Sequence, residues 1–167
     1  MHARALRRGE ASEFKALWLE GLRNYPDAFL LTEAEASAVT LKQIEIAISA
    51  GVHWGVEKNG ALVAIASMRV GGVSRLRHTA DIGPFFVSAA AQGQGVAKRM
   101  LSGMLEHARS SGLKQVELCV DVQNSAAIAL YRTFGFEVFG TRPRSVIIDG
   151  IARSDHLMIC MLDKDHT

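Results

Sequence analysis

Residues 78–122 read HTADIGPFFVSAAAQGQGVAKRMLSGMLEHARSSGLKQVELCVDV, and their pattern indicates the class of fold. The two ends of this stretch, residues 78–87 and 116–122, are predicted to be strands, with a bulge or bend where Gly83-Pro84 interrupts the first. Between them, apolar residues recur at helical spacing over residues 96–110 and predict an amphipathic helix. A strand–helix–strand crossover makes its two strands parallel. The second strand is almost continuously apolar, which is typical of a strand covered on both faces.

Hairpin signals lie on both sides of this unit. Asn59-Gly60 joins predicted strands at 53–58 and 61–70, and Asp149-Gly150 joins predicted strands at 136–148 and 151–162. Both dipeptides tolerate the positive φ angles that a two-residue hairpin turn requires, so these two pairs are predicted to be antiparallel.

The remaining elements complete a single α/β domain over residues 1–167. They are a short strand at 2–6, helices at 10–24 and 39–50, and a short helix at 126–134. Thr40 and Gln43 fit a capping box at the start of the second helix. The predicted fold is one mixed, mostly antiparallel sheet with a central parallel strand–helix–strand unit and helices on both faces.

Composition excludes several classes of protein. The 167 residues are 49% hydrophobic and 22% charged, with a net charge of +2, which is an ordinary globular profile. The sequence lacks the dense basic stripe that is typical of nucleic-acid-binding proteins. No apolar run is long enough to cross a membrane, and none resembles a signal peptide, so we expect a cytoplasmic protein. Cys119 and Cys160 lie in apolar runs and are predicted to be core residues. The six histidines show no metal-ligand spacing, and no metal is predicted.

A glycine-rich turn joins the first strand of the 78–122 stretch to its helix. The turn reads Gln92-Gly93-Gln94-Gly95-Val96-Ala97. Gly and Ala leave the backbone N–H groups unobstructed, and the start of a helix offers free donors at the positive end of its dipole, which together suit a pyrophosphate. A tight turn that only needs glycine is the alternative. Lys98 and Arg99 either assist an anion or face solvent.

A second element runs from Asn124 to Phe136. Asn124 follows a strand and is a favourable helix N-cap. Tyr131 lies about two helical turns later and is either a packed aromatic residue or a catalytic hydroxyl.

The two motifs together resemble the GNAT superfamily, the Gcn5-related N-acetyltransferases. Gln92-x-x-Gly95-x-Ala97 is similar to the family's pyrophosphate-binding motif, and the segment 124–136, ending in Leu-Tyr-x-x-x-Gly-Phe, is similar to its next motif. The stretch 17–29 resembles the opening of small-substrate members. This resemblance covers about the whole chain. It implies transfer of an acetyl group from acetyl-CoA, as cosubstrate, to a primary amine of a small molecule or amino-acid-like substrate by direct attack.

The resemblance also implies where the cofactor binds. The two parallel strands would splay apart, and the backbone at Phe86 and Val87 would hold the pantetheine arm as an added strand does and donate to the thioester oxygen. The implied cofactor-binding residues are Phe86, Val87, Gln92, Gly93, Gln94, Gly95, Val96, Ala97, Lys98, Asn124 and Tyr131.

For catalysis, the resemblance implies that Tyr131 is the general acid for the departing thiolate. Many members use a Glu as general base on the strand before the pyrophosphate loop, but this strand has none. Its ionisable residues are Asp81 and His78, which are the two candidates for the base, directly or through a water. Loss of the amine proton to solvent is the third route.

Other functions stay open at this stage. A protein or peptide N-acetyltransferase and a non-catalytic CoA-binding regulatory module share the same loop, and a generic nucleotide-binding regulator explains the loop but not the segment 124–136. We expect the substrate channel in the first two helices and the final hairpin, which hold Trp18, Tyr25, Phe29, Arg142, Arg144 and Asp149. The exposed edge of the long final strands is compatible with a homodimer.

Overall fold

The structure, a computed structural model, describes residues 1–163. The strands are β1 Ala3–Ala5, β2 His53–Lys58, β3 Ala61–Val70, β4 Thr79–Val87, β5 Gln115–Asp121, β6 Glu137–Ile148 and β7 Ile151–Met161. The α-helices are α1 Ala11–Asn24, α2 Glu33–Ala38, α3 Leu41–Ser49, α4 Val96–Ser110 and α5 Ser125–Thr133. Short 3₁₀ turns lie at Pro26–Ala28, Ser74–Leu76 and Ala89–Ala91. None of the helices within these residues has both the length and the apolar composition needed to cross a membrane.

The strands form one sheet in the order β1-β2-β3-β4-β5-β7-β6. β4 and β5 are parallel, whereas β1–β2, β2–β3, β5–β7 and β6–β7 are antiparallel. This sheet confirms the predicted fold class, with its parallel strand–helix–strand unit among antiparallel pairs. β7 lies between β5 and β6, so the final hairpin is attached to the rest of the sheet through its second strand.

Both predicted hairpin turns are present. Asn59 and Gly60 have φ angles of 53° and 81°, and Asp149 and Gly150 have φ angles of 49° and 78°. Two successive left-handed residues are what a type I′ turn requires, and its twist matches that of the flanking strands. The β2–β3 and β6–β7 pairs therefore follow directly from two dipeptides.

The helices before the sheet differ from the prediction at one point. α3 begins after Thr40, whose hydroxyl accepts a hydrogen bond from Gln43 N, and the predicted capping box is confirmed. The helix α2 was not predicted, because six residues are too few to show a helical period. Its signal was a second capping box, in which the Thr32 hydroxyl accepts from Glu35 N while the Glu35 carboxylate accepts from Thr32 N.

The chain divides into two compact units. Unit 1 comprises residues 1–68 and 84–104, and unit 2 comprises residues 69–83 and the residues from 105 onward. Unit 1 has a continuous apolar core that α1, α3, β3 and β4 share. Its buried members are Leu6, Ala11, Phe14, Leu17, Ile44, Ile48, Leu62, Ile65 and Phe86. Burial of each large side chain in such a core contributes about 1.5–3 kcal/mol.

Unit 2 is organised around β5 and β7. Val116 is in register with Cys160 and Leu118 with Met158, and all four side chains are buried. The ring of Tyr131 on α5 lies 5.7 Å from that of Phe136, at an interplanar angle of 57°. Aromatic pairs favour such tilted arrangements.

The prediction for Cys119 is wrong. Cys160 is buried, as predicted, but Cys119 is exposed. The reason is alternation along the strand: Val116, Leu118 and Val120 are buried, so residue 119 points to the opposite face. On that opposite face β5 carries only half-buried or exposed residues, so the expectation that the strand is covered on both faces is also wrong for the described residues.

Candidate functional site

The glycine-rich turn opens α4 as predicted. Gly93 and Gly95 have φ angles of 73° and 74°, in the region that side chains with a Cβ rarely adopt. The first α-helical hydrogen bond runs from Arg99 N–H to the Gly95 carbonyl oxygen, at 3.1 Å. The N–H groups of the preceding first turn therefore have no intrahelical acceptor, and Gly95 has no side chain to cap them. Free N–H groups of this kind at the start of a helix are able to bind an anion.

The two glutamines of the turn make contacts within the protein. Gln92 Nε2 donates to the Val87 carbonyl oxygen at 3.1 Å, and Gln94 Nε2 donates to the Ala90 carbonyl oxygen at 2.8 Å. Gln94 Oε1 accepts a hydrogen bond from Lys58 Nζ. Both side chains thus shape the turn, and the capacity to bind an anion lies with the backbone N–H groups at the start of α4.

Cations lie next to the turn. Lys98 and Arg99 are exposed on the first turn of α4, and one Arg99 nitrogen lies 3.4 Å from the Met1 carbonyl oxygen. Lys58, at the end of β2, contacts Gln94. Sequence reasoning missed Lys58, because only the fold brings the end of β2 beside a turn more than 30 residues later in the chain.

The side chain of Phe86 belongs to the core, and its backbone lies near the end of β4. Its ring is buried in the core of unit 1, with ring centroids 6.3 Å from Tyr25 and 6.2 Å from Phe29. Only its backbone is left for a ligand. The Val87 carbonyl oxygen accepts a hydrogen bond from Gln92. The second lone pair of that oxygen and the Val87 N–H are the groups that could bind a ligand.

The parallel pairing of β4 with β5 is short. It joins Thr79 to Gln115, Ala80 to Val116 and Asp81 to Glu117, and it reaches no further along either strand within the described residues. β5 continues to Asp121, paired on its other edge with β7. The Gly83 carbonyl oxygen, two residues past the last pair, accepts a hydrogen bond from Arg69 at 3.1 Å. Backbone groups on the β4-facing edge of β5 beyond Glu117 are therefore left without a β4 partner.

Asp81 and Glu117 are side by side at the end of this pairing. Partial desolvation raises the pKa of Asp81, the Glu117 carboxylate raises it further, and Arg69 opposes both effects. Gln115 Nε2 donates to Glu117 Oε1 at 2.7 Å. Glu117 was missed by sequence reasoning, because its position beside Asp81 depends on the β4–β5 register, which the sequence does not specify.

His78 is not brought together with Asp81. It precedes β4 and is exposed, and its carbonyl oxygen accepts hydrogen bonds from the N–H groups of Lys114 and Gln115. His78 lies in the turn before β4, outside the strand that carries Asp81. Of the two predicted candidates for the base, Asp81 is therefore the one that lies among other ionisable groups.

Asn124 and Tyr131 both belong to the short helix α5. Asn124 Oδ1 accepts from Ala127 N at 3.1 Å, so this side chain is the predicted N-cap. Tyr131 is 9% exposed, and burial raises the pKa of its hydroxyl to about 12. The hydroxyl is consequently protonated, and able to donate, at every physiological pH.

Cys119 lies on the same charged face of unit 2 as Asp81 and Glu117. Partial desolvation raises the pKa of its thiol, the nearby Arg142 opposes this, and Asp155, Asp81 and Glu117 add to it. This face therefore combines three carboxylates with a guanidinium. Within residues 1–163, no group of three or more His, Cys, Asp or Glu side chains is arranged to hold a metal ion.

Comparison with known proteins identifies relatives. Residues 13–136 match the acetyltransferase (GNAT) family. The N-alpha-acetyltransferase RimI of Mycobacterium tuberculosis is 34% identical over 110 residues, which cover 64% of this chain and 65% of that protein. An L-methionine sulfoximine/L-methionine sulfone acetyltransferase of Pseudomonas aeruginosa is 28% identical over 98 residues, which cover 52% of this chain and 57% of that protein. The chain thus spans less than two thirds of the length of these curated relatives.

A solved structure has the same fold. The Salmonella typhimurium structure described with its cofactor acetyl-CoA has a TM-score of 0.79 and 21% identity, covering 100% of this chain and 96% of that chain. The family match extends over about three quarters of the chain. The chain belongs to the acetyltransferase (GNAT) family.

Proposed function

We propose that this protein is an acetyl-CoA-dependent N-acetyltransferase whose acceptor is the primary amine of a small molecule or amino-acid-like substrate. The observation that carries the proposal is the start of α4, where two left-handed glycines leave first-turn N–H groups without acceptors. In the reaction, the amine nitrogen forms a bond to the acetyl carbon while the bond from that carbon to sulfur breaks. The nitrogen loses one proton, and the departing sulfur gains one.

The cosubstrate is held by backbone groups rather than by side chains. The N–H groups of Val96, Ala97 and Lys98 bind its pyrophosphate, with the charges of Lys98 and Arg99 in support. The backbone at Phe86 and Val87 pairs with the pantetheine arm, and an N–H there donates to the thioester oxygen as negative charge develops. The exposed turn and the burial of the Phe86 ring support this division of roles.

Tyr131 acts on the leaving group. A pKa of about 12 lies well above the reference thiol pKa of about 8.5, so complete proton transfer to a free thiolate is uphill. The hydroxyl therefore acts by donating a hydrogen bond to the sulfur while negative charge builds up. CoA then leaves as a thiolate, which takes its proton from solvent. Asn124 contributes by capping α5, the helix that carries Tyr131.

Asp81 accepts the proton from the acceptor amine, directly or through a water. An amine reaches the enzyme mainly as an ammonium ion and must be neutral to attack. A carboxylate with a raised pKa is a stronger base than an ordinary one, and the Glu117 charge beside it attracts the cation. His78, which is exposed in the turn before β4, is the second candidate.

The charges of unit 2 support an amino-acid-like acceptor. Asp81, Glu117 and Asp155 can attract an ammonium group, and Arg142 offers a partner for an anionic group on the same substrate. The Pseudomonas aeruginosa relative is named for amino-acid-derived substrates. A peptide N-terminus is the second candidate, and the 34% identity to an N-alpha-acetyltransferase favours it.

Two further features belong to the proposal. β6 is at the edge of the sheet and exposes Phe139 and Ile147, which supports a homodimer through this strand. Multi-angle light scattering at micromolar concentration tests the dimer, and a monomer would contradict it.

Both cysteines are free thiols, which supports a reducing, cytoplasmic location.

The first experiment measures binding and turnover together. Acetyl-CoA is titrated by calorimetry, and thiol release is followed with amino acids, polyamines, aminoglycosides and peptides. Tyr131→Phe is expected to keep acetyl-CoA binding while kcat falls by about 10²-fold or more, the scale of general acid–base catalysis. Arg132→Lys, on the exposed side of the same helix, is the control and should behave as wild type. Binding without turnover would instead favour a regulatory module, and absence of binding would contradict the proposed function.

A further inference from the structure

The C-terminal end of α1 contacts the segment that carries the glycine-rich turn. Glu20 Oε1 accepts a hydrogen bond from Ala89 N at 3.3 Å, at the start of the 3₁₀ turn 89–91. Five residues further along, the Tyr25 hydroxyl reaches the side-chain amide of Gln92. All of these residues belong to unit 1, so one helix end holds both ends of the segment 89–92.

Gln92 is the central residue of this arrangement. Its amide nitrogen lies 3.1 Å from the Val87 carbonyl oxygen and 3.3 Å from Tyr25 Oη, while its amide oxygen lies 3.5 Å from Tyr25 Oη. A carbonyl oxygen can only accept, so the NH₂ end of the amide must face Val87. The second N–H of that nitrogen is then satisfied by Tyr25. The Val87 carbonyl oxygen therefore fixes the orientation of the Gln92 amide, and the Tyr25 hydroxyl supplies a second contact to the same nitrogen.

The Tyr25 ring contacts one aromatic neighbour in the core of unit 1. It lies 6.3 Å from the Phe86 ring at an interplanar angle of 51°. α1 approaches this layer closely at Gly21, where an added Cβ would lie 2.6 Å from Phe29 Cζ and 3.0 Å from the Phe86 ring. The Tyr25 side chain is 44% exposed, so its ring is supported on one side by Phe86 while its hydroxyl reaches Gln92 at the surface.

We infer that Tyr25 is a positioning residue for the cosubstrate turn: through Gln92, its hydroxyl keeps the first-turn N–H groups of α4 in the arrangement that binds pyrophosphate. The inference rests on the proposed function and deepens it. Tyr25 acts on the affinity for acetyl-CoA and not on acetyl transfer itself, because its contact is with the turn and not with reacting atoms. Loosening the turn adds a cost of ordering to binding.

A double-mutant cycle tests this assignment. Tyr25→Phe keeps the ring on Phe86 and removes only the hydroxyl, and Gln92→Leu removes the amide. Each single variant is expected to raise the Kd and the KM for acetyl-CoA about threefold to tenfold, the scale of one neutral hydrogen bond, with kcat within about twofold of wild type. The double variant should match Gln92→Leu alone, because the hydroxyl acts through that amide. Glu13→Gln, exposed on the same helix, is the control and should leave the Kd unchanged.

The possible results separate this inference from the function on which it rests. Wild-type protein that binds and turns over acetyl-CoA, together with an unchanged Kd in Tyr25→Phe, would overturn the inference alone. The inference would also be overturned if the fold-changes in Kd of the two single variants multiplied in the double variant. A fall in kcat at unchanged Kd would overturn it too, because it would indicate that Tyr25 contacts the acceptor. Wild-type protein that does not bind acetyl-CoA would overturn both. Thermal unfolding of each variant shows whether the fold is retained, and a Tyr25→Phe protein that loses its fold would overturn a role confined to the turn.

Discussion

Asp81, the proposed general base, lowers the stability of the folded protein when it is ionised. Partial desolvation and the adjacent Glu117 raise the pKa of its carboxyl, so the folded state binds the proton more tightly than the unfolded chain does. The stabilisation that this gives is present at low pH and is lost as the pH rises through the raised pKa. At neutral pH the ionised Asp81 is therefore a destabilising residue.

Asp81→Asn is expected to raise the melting temperature at pH 7 while acetyl transfer falls, because the amide carries no charge and cannot take a proton. The gain should shrink as the pH is lowered towards 4, where the wild-type carboxyl becomes protonated. Thermal unfolding between pH 4 and 8, beside thiol-release assays, measures both effects. A variant less stable than wild type at pH 7 would contradict the assignment. Asp163→Asn, at an exposed carboxylate that is 4.0 Å from Lys114, is a control for the loss of one negative charge.

At the scale of elements, α4 is adapted to a close neighbour. Gly103 lies in the interior of this helix, where an alanine would ordinarily be favoured by about 1 kcal/mol. An added Cβ at this position, however, would lie 2.7 Å from Ala3 Cβ of β1, closer than two carbon atoms can pack. The absence of a Cβ at Gly103 allows the helix to approach this edge strand.

Gly103→Ala is expected to destabilise the protein by about 1–3 kcal/mol, because the overpacking cost exceeds the gain in helix propensity. Ser102→Ala, at the exposed neighbouring position, gains propensity without a clash and should be neutral or stabilising. Urea unfolding of the two variants compares them directly. Stabilisation by Gly103→Ala, as expected for Ser102→Ala, would contradict the prediction. It would mean that β1 moves away from the added methyl group at little cost in free energy.

The elements that the sequence predicts well are those with strong local signals. β2, β3 and α4 have the predicted bounds, because an Asn-Gly turn and a 15-residue helical period are properties of neighbouring residues. Features that depend on distant residues were missed or wrong. Cys119 was assigned to the core because its neighbours are apolar, whereas its exposure depends on which strand face is covered. The candidate site divides in the same way: the turn at residues 92–97 follows from its glycines, but Glu117 and Lys58 require the register and the fold.

For the molecule as a whole, the proposed function predicts that binding and stability are linked. A ligand that binds only the folded state adds about 2.7 kcal/mol to the free energy of unfolding at a hundred times its Kd. Acetyl-CoA and free CoA are both expected to raise the melting temperature, since both carry the pyrophosphate that α4 would bind. Pantetheine, which lacks that group, is the matched control and should raise it much less. Equal shifts with pantetheine and CoA would contradict a pyrophosphate site at the start of α4.

The position of β7 between β5 and β6 has a consequence for synthesis on the ribosome. Within residues 1–163, β6 pairs only with β7 and is made before it, so this 12-residue strand emerges without its partner. At about 5–20 residues per second, β6 waits for roughly half a second to two seconds before the 11 residues of β7 have followed. During that interval the side chains of Val138, Phe139 and Ile147 are open to chaperones or to a neighbouring nascent chain. The hairpin then closes within microseconds, and it is β7 that attaches the completed pair to β5.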